Sequence, residues 1–110
     1  MVTEKSFSDL LRRDAEPLWK TIHGHPFVTG IGDGTLPEDR FRYYMCQDYL
    51  FLIEYSRVLA LAAVKAPGLS EMGRFSDLLN ATLNTEMDLH RDFAAKFGIS
   101  PEKLESARPA

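Results

Sequence analysis

The stretch that decides the fold is residues 37–65, PEDRFRYYMCQDYLFLIEYSRVLALAAVK, which has no glycine and no proline after its first residue. Proline followed by two carboxylates is typical of the first turn of a helix. Ala66-Pro67-Gly68 then stops the pattern. Because apolar side chains cover nearly the whole circumference, this long helix is predicted to be central, with neighbours on every side.

The segments on either side also have helical patterns. Residues 7–22 have apolar side chains at amphipathic spacing, with a kink or a fresh helix start expected at Pro17. Residues 26–36 contain three glycines, at 30, 32 and 34, but lack the preceding strand or the Lys-Ser/Thr pair of a phosphate-binding loop, so they are predicted to be a connector.

A second long helix is predicted over residues 70–98, with Ser70 as its N-cap and Gly98 as its stop. Ser100-Pro101 is typical of the start of another short helix. No segment has a strand pattern, so the predicted fold class is all-α. The buried stripe of the second long helix is expected to comprise Phe75, Leu79, Leu83, Phe93 and Phe97.

Composition narrows the function classes. The formal charge of −3 over 110 residues, with scattered Lys and Arg, argues against a nucleic-acid partner. No run approaches the roughly 20 apolar residues of a membrane span, so no membrane partner and a cytoplasmic location are expected. The single cysteine, Cys46, is interpreted as a small apolar filler of the long helix.

Asp48 is the most informative polar residue. It lies in the middle of the apolar helix, with Tyr44 four residues before it, Phe51 three residues after it and Tyr55 at i+7. A buried carboxylate needs a partner, either a side chain of another helix or a ligand. The neighbouring rings favour a ligand, because a planar heteroaromatic ring with an amino group would stack on them while donating to the carboxylate.

Glu86 and His90 are spaced i, i+4 and are predicted to face the core together. They could ligate a metal, but they are too few for a site of their own, so a hydrogen-bonded pair that joins two helices is preferred. His23 and His25 are expected to cap a helix end.

The order His25-Pro26-Phe27-Val28, residues 30–37 (GIGDGTLP), Gln47-Asp48 and residues 86–93 (EMDLHRDF) resembles the TenA family. The resemblance implies a haem-oxygenase-like helical bundle without haem or another cofactor. It also implies hydrolysis of thiamin or of aminopyrimidine breakdown products in thiamin salvage.

In the terms of that resemblance, Asp48 binds the amino edge of the pyrimidine and Phe27 forms an aromatic wall. Phe51 stands where many members have a tyrosine. Tyr44 is grouped with these three as a substrate-binding residue because it flanks Asp48 on the same face. No residue of this chain is assigned a catalytic role.

The resemblance further implies that residues 1–110 form the N-terminal half of a single helical domain, because the nucleophilic cysteine of the family lies in the second half. Cys46 cannot replace it, since two helical positions separate it from the face of Asp48. The chain alone is therefore expected to be inactive. Its expected partners are the C-terminal half of the bundle or a second chain, and a homo-oligomer is expected.

Two alternatives stay open at this point. One is a metal-dependent oxidase of the same bundle type, suggested by Glu86 and His90. The other is a non-catalytic module for oligomerisation or regulation.

Overall fold

The computed structural model describes residues 6–110, which contain seven α-helices, one π-helical turn and no strand. The all-α prediction is therefore confirmed. The chain divides into two compact units, Met1–Pro37 and Glu38–Ala110, each of which is described by itself. Within the described residues, no helix is long and apolar enough to cross a membrane.

The first unit contains α1 (Phe7–Asp14), α2 (Glu16–His23) and α3 (Pro26–Asp33). Ser6 caps α1 in a reciprocal arrangement with Asp9. The expected break near Pro17 is confirmed, because Pro17 occupies the first turn of α2 rather than the interior of one helix. The apolar stripe predicted over residues 7–22 forms, but its side chains are exposed.

The prediction that residues 26–36 are only a connector is wrong in part. His25 Nδ1 accepts a hydrogen bond from the Phe27 N–H, and Pro26 occupies the first turn, so the local sequence starts a helix. The helix ends at Gly34, whose φ of 77° lies in the left-handed region. Behind it, the N–H groups of Thr35 and Leu36 both donate to the Gly30 carbonyl.

The second unit is organised around α4 (Glu38–Lys65), which confirms the predicted long helix to within one residue. The chain reverses over Ala66-Pro67-Gly68 and returns along α4 as α5 (Leu69–Asn80). Gly68 is the N-cap of α5, so the prediction that Ser70 is the cap is wrong. The Gly68 backbone is extended there and Leu69 is already helical.

A π-helical turn (Ala81–Glu86) follows α5 and leads directly into α6 (Met87–Lys96). We call it the π turn. Helical backbone angles continue through both junctions, at Ala81 and at Met87. Gly98, with a φ of 75°, follows the end of α6 and stops the helix as predicted. The last helix, α7 (Pro101–Glu105), has Ser100 as its N-cap.

The π turn changes which side chains are buried. The predicted stripe is confirmed in part, because His90 is buried as expected and Phe75, Leu79 and Phe97 are partly buried. Leu83 and Phe93, in contrast, are exposed, and Thr82, Met87 and Ala94 are buried in their place. Thr82 and Met87 are five residues apart, which matches the i→i+5 hydrogen bonds of a π-helix. The next buried residues, His90 and Ala94, follow at intervals of three and four residues, as in an α-helix. The prediction assumed a regular α-helix. The five-residue interval between Thr82 and Met87 changes which residues near the π turn face the core.

The core of the second unit lies between α4, α6 and α7. Its buried members are Met45, Tyr49, Leu52, Met87, Ala94, Ile99 and Leu104, and Cys46 packs against them. The interpretation of Cys46 as an apolar filler is thus confirmed. The opposite side of α4 exposes Val58, Leu61 and Val64, so its neighbours do not surround it within this unit.

Candidate functional site

Asp48 lies at the middle of α4, on the side that faces α6. Its side chain is 29% exposed, and its Oδ2 lies 3.5 Å from Nδ1 of His90. The carboxylate is therefore partnered within the protein, as its apolar surroundings require, and still reaches solvent. An accessible carboxylate with one oxygen turned towards an imidazole can accept a hydrogen bond through the other.

His90 is the buried end of this pair. Its side chain is 7% exposed, and its Nε2 lies 2.8 Å from the main-chain carbonyl oxygen of Met45. A carbonyl oxygen can only accept, so Nε2 carries a proton and donates it. The Tyr49 ring lies beside the imidazole, with centroids 6.1 Å apart. These contacts fix the ring between α6 and α4.

The predicted pairing of Glu86 with His90 is wrong. Glu86 is exposed at the end of the π turn, and the ion pair of His90 is with Asp48. The expectation that His90 joins two helices is confirmed, with α4 as the partner. Within the described part of the chain, no group of three or more His, Cys, Asp or Glu residues could hold a metal ion.

Tyr44 precedes Asp48 by one helical turn and is partly exposed. Burial of the hydroxyl and, second, the negative charge of Asp48 raise the pKa of the Tyr44 phenol above its ordinary value of 10.0. The phenol therefore keeps its proton at neutral pH. A proton-bearing hydroxyl beside a carboxylate gives this part of α4 a hydrogen-bond donor as well as an acceptor.

Phe51 and Tyr55 continue the same face of α4. Their rings are stacked, with centroids 5.8 Å apart and planes inclined by 16°. The Phe51 side chain is largely exposed, at 58%, although it is apolar. The pair forms a flat aromatic surface one to two turns beyond Asp48, of the kind on which a planar ring can stack.

Phe27 lies near the start of α3 in the first unit and is partly buried. Its N–H group donates to His25, which places the residue in the first turn of the helix. Because Phe27 and Asp48 belong to different units, the role of Phe27 as a wall of the same site stays a prediction.

A second group of polar contacts, which the sequence did not reveal, joins α4 to the end of the chain. The Tyr49 hydroxyl donates to the carboxylate of Glu105. A hydrogen bond with Tyr49 is also the main cause that raises the pKa of the Arg91 guanidinium. The Gln47 side chain donates to the Arg108 carbonyl over 2.8 Å and accepts from the Ala110 N–H over 3.1 Å.

These contacts flank Asp48 in sequence on both sides, at Gln47 and at Tyr49. Their partners at the end of the chain, Glu105, Arg108 and Ala110, are 56 to 63 residues further along, beyond the reach of any helical spacing. The only available signal was that both polar side chains occur within the apolar part of α4.

The chain is similar in sequence to known proteins. Residues 12–110 match the model of the TENA/THI-4/PQQC family. The chain belongs to this family.

Three curated relatives carry the name aminopyrimidine aminohydrolase. The relative from Halalkalibacterium halodurans is 51% identical over 105 residues, covering 96% of this chain and 47% of that protein. The Helicobacter pylori protein is 43% identical, covering 93% and 47%, and the Bacillus subtilis protein is 41% identical, covering 94% and 44%. The chain thus spans about half the length of the curated relatives it matches.

Proposed function

We propose that this chain contributes the pyrimidine-binding part of a hydrolase that acts on thiamin or on aminopyrimidine products of thiamin breakdown. The observation that carries the proposal is the half-buried Asp48 carboxylate, held by His90 on one side and accessible on the other. The names of the three curated relatives support the same substrate class.

In this proposal Asp48 accepts a hydrogen bond from the exocyclic amino group of the pyrimidine. The charge on the acceptor makes this bond stronger than a neutral one. Tyr44 offers a protonated hydroxyl nearby, and Phe51 packs against the flat face of the ring. Phe27 is proposed as a further aromatic wall.

The residues of α4 bind and orient the ring, and the attacking group is proposed to come from a cysteine outside residues 1–110. Cys46 does not fit that role, because it packs against the hydrophobic core. The family resemblance points instead to a segment that would form the other half of the bundle. Residues 1–110 alone are accordingly proposed to bind without turnover.

The test is calorimetry with thiamin on the full protein, comparing the unaltered protein with the Asp48→Asn variant. We expect Asp48→Asn to weaken binding by about 1.5–3 kcal/mol, the usual contribution of a hydrogen bond to a charged group. A pyrimidine without the exocyclic amino group should bind both proteins equally weakly.

The matched control is Glu54→Gln, which removes a carboxylate from the same helix. Glu54 is exposed and pairs only loosely with Arg57, over 3.6 Å. Its replacement should leave affinity unchanged. Equal affinity of the folded Asp48→Asn variant and the unaltered protein would remove Asp48 from the site and refute the proposal.

A further inference from the structure

The two ring nitrogens of His90 contact different groups of α4. Nε2 donates to the Met45 carbonyl oxygen at 2.8 Å, and Nδ1 lies 3.5 Å from Oδ2 of Asp48. The proton on Nε2 is fixed by the carbonyl, so this contact orients the ring and turns Nδ1 towards the carboxylate. The imidazole therefore contacts both the main chain of α4 and the side chain of Asp48.

We propose that His90 is a positioning residue for Asp48: its ring, fixed by the Met45 carbonyl, holds Oδ2 of the carboxylate in place and leaves Oδ1 for the ligand. This inference rests on the proposed function, because it assigns the binding role to Asp48. His90 itself acts only through Asp48, since its ring is almost wholly buried behind the carboxylate.

The rigidity of the arrangement follows from the helices that carry it. Met45 and Asp48 are three residues apart on α4, so both contacts of the imidazole are with one face of one helix. The Tyr49 ring limits movement of the imidazole on a further side. A carboxylate held in this way does not need to be reoriented when the ligand binds, which reduces the entropic cost of binding.

His90 lies on the buried side of α6, facing α4. Thr82 in the π turn and Met87 after it both face inward although they are five residues apart. His90 follows Met87 by three residues and so lies on the same buried face. π-helical turns occur frequently at functional sites, and this one ends four residues before His90.

The first measurement is the nitrogen NMR spectrum of the His90 ring at neutral pH in the full protein without ligand. We expect Nε2 to carry a proton in both the unaltered protein and the Asp48→Asn variant, because it donates to the Met45 carbonyl. The Nδ1 signal should shift in Asp48→Asn, because that substitution changes the group in contact with Nδ1. An unprotonated Nε2, or an Nδ1 signal that Asp48→Asn does not change, would overturn the proposal.

The second measurement is a double-mutant cycle for thiamin affinity with Asp48→Asn and His90→Gln. Glutamine can still donate to the Met45 carbonyl but has no second ring nitrogen to contact Asp48. His90→Gln should weaken binding about tenfold when Asp48 is present, and by less than about twofold in the Asp48→Asn background. Additive losses would mean that His90 acts on the fold alone and would refute the positioning role.

The two measurements separate the possible failures. If thiamin does not bind the unaltered protein, the proposed function fails, while the NMR comparison still decides the contact between His90 and Asp48. If His90→Gln does not fold, the spectra of the unaltered protein and of Asp48→Asn remain a complete test, because neither sample contains that substitution.

Discussion

Tyr44 offers a way to detect the charge of Asp48 without any ligand. Burial and the Asp48 carboxylate both raise the pKa of its phenol, and burial is the larger cause. Removing the negative charge by Asp48→Asn should therefore lower that pKa, but only part of the way to its ordinary value. An NMR titration of carbon-labelled tyrosine would measure the shift; an unchanged or higher pKa would contradict it.

The same shift has a consequence for stability at high pH. Because the pKa of Tyr44 is higher in the folded protein than its ordinary value of 10.0, ionisation of the phenol favours unfolding. The contribution of the protonated Tyr44 phenol to the free energy of unfolding is fully present below its ordinary pKa. It is lost as the pH rises through the pKa that the phenol has in the folded protein. Tyr44→Phe should therefore flatten the alkaline limb of a plot of unfolding free energy against pH.

Phe51 lets the aromatic contribution be measured apart from the hydrogen bond. Phe51→Ala should weaken aminopyrimidine binding by about 0.5–1.5 kcal/mol, the scale of a contact between aromatic rings. Phe51→Tyr should keep the affinity, because the stacking surface is retained. Tyr43→Ala is the matched control, since Tyr43 is as exposed as Phe51 on the same helix. Equal losses in Phe51→Ala and Tyr43→Ala would show that the effect is not local.

At the scale of the helical element, the π turn should tolerate a deletion that a regular helix would not. Deleting the exposed Thr85 reduces the step from Thr82 to Met87 from five residues to four, which suits an α-helix. The buried side chains on both sides of the turn can then keep their positions. We expect the melting temperature to stay within a few degrees of the unaltered protein.

Deletion of Asp88 is the comparison for that prediction. Asp88 is also exposed, but its removal reduces the step from Met87 to His90 from three residues to two. One of the two side chains would then leave the buried face, so we expect a loss of about 2–5 kcal/mol in unfolding free energy, as for a truncated core side chain. Similar denaturation curves for the two deletions would show that the π turn does not set the register.

At the scale of the whole molecule, the exposed apolar side of α4 and α5 predicts how residues 1–110 behave when expressed alone. Val64 is 76% exposed and Leu69 is 85% exposed, and Val58 and Leu61 add to the same surface. Contiguous apolar patches of this kind are rare on monomers beyond a few hundred Å². The isolated polypeptide should aggregate or bind hydrophobic dyes as a loosely packed helical state.

Sedimentation equilibrium and dye fluorescence would check this expectation. A sharply melting, dye-silent monomer would show that the 110 residues close their own core, and would contradict the prediction that they are half of a bundle. Val64→Lys with Leu61→Lys provides a control, because both side chains are exposed and their replacement should reduce dye binding without loss of helix. The predicted homo-oligomer would be tested in the same centrifugation.

The amino-acid sequence by itself determined the features that depend on neighbouring residues. The boundaries of α4, the stop at Gly98 and the cap at Ser100 follow from proline, glycine and capping residues, whose effects act within one helical turn. The expectation that Asp48 has a partner also followed locally, because a carboxylate among apolar side chains at helical spacing needs one.

Only the tertiary structure decided which partner Asp48 has. Helical spacing favoured Glu86 as the neighbour of His90, but one π turn changed the buried stripe, and a periodic pattern cannot show where its own period changes. The contacts of Gln47 and Tyr49 with the end of the chain were hidden for a related reason. Residues this far apart in the chain meet because helices pack, and packing depends on the shape of the whole core rather than on any local signal.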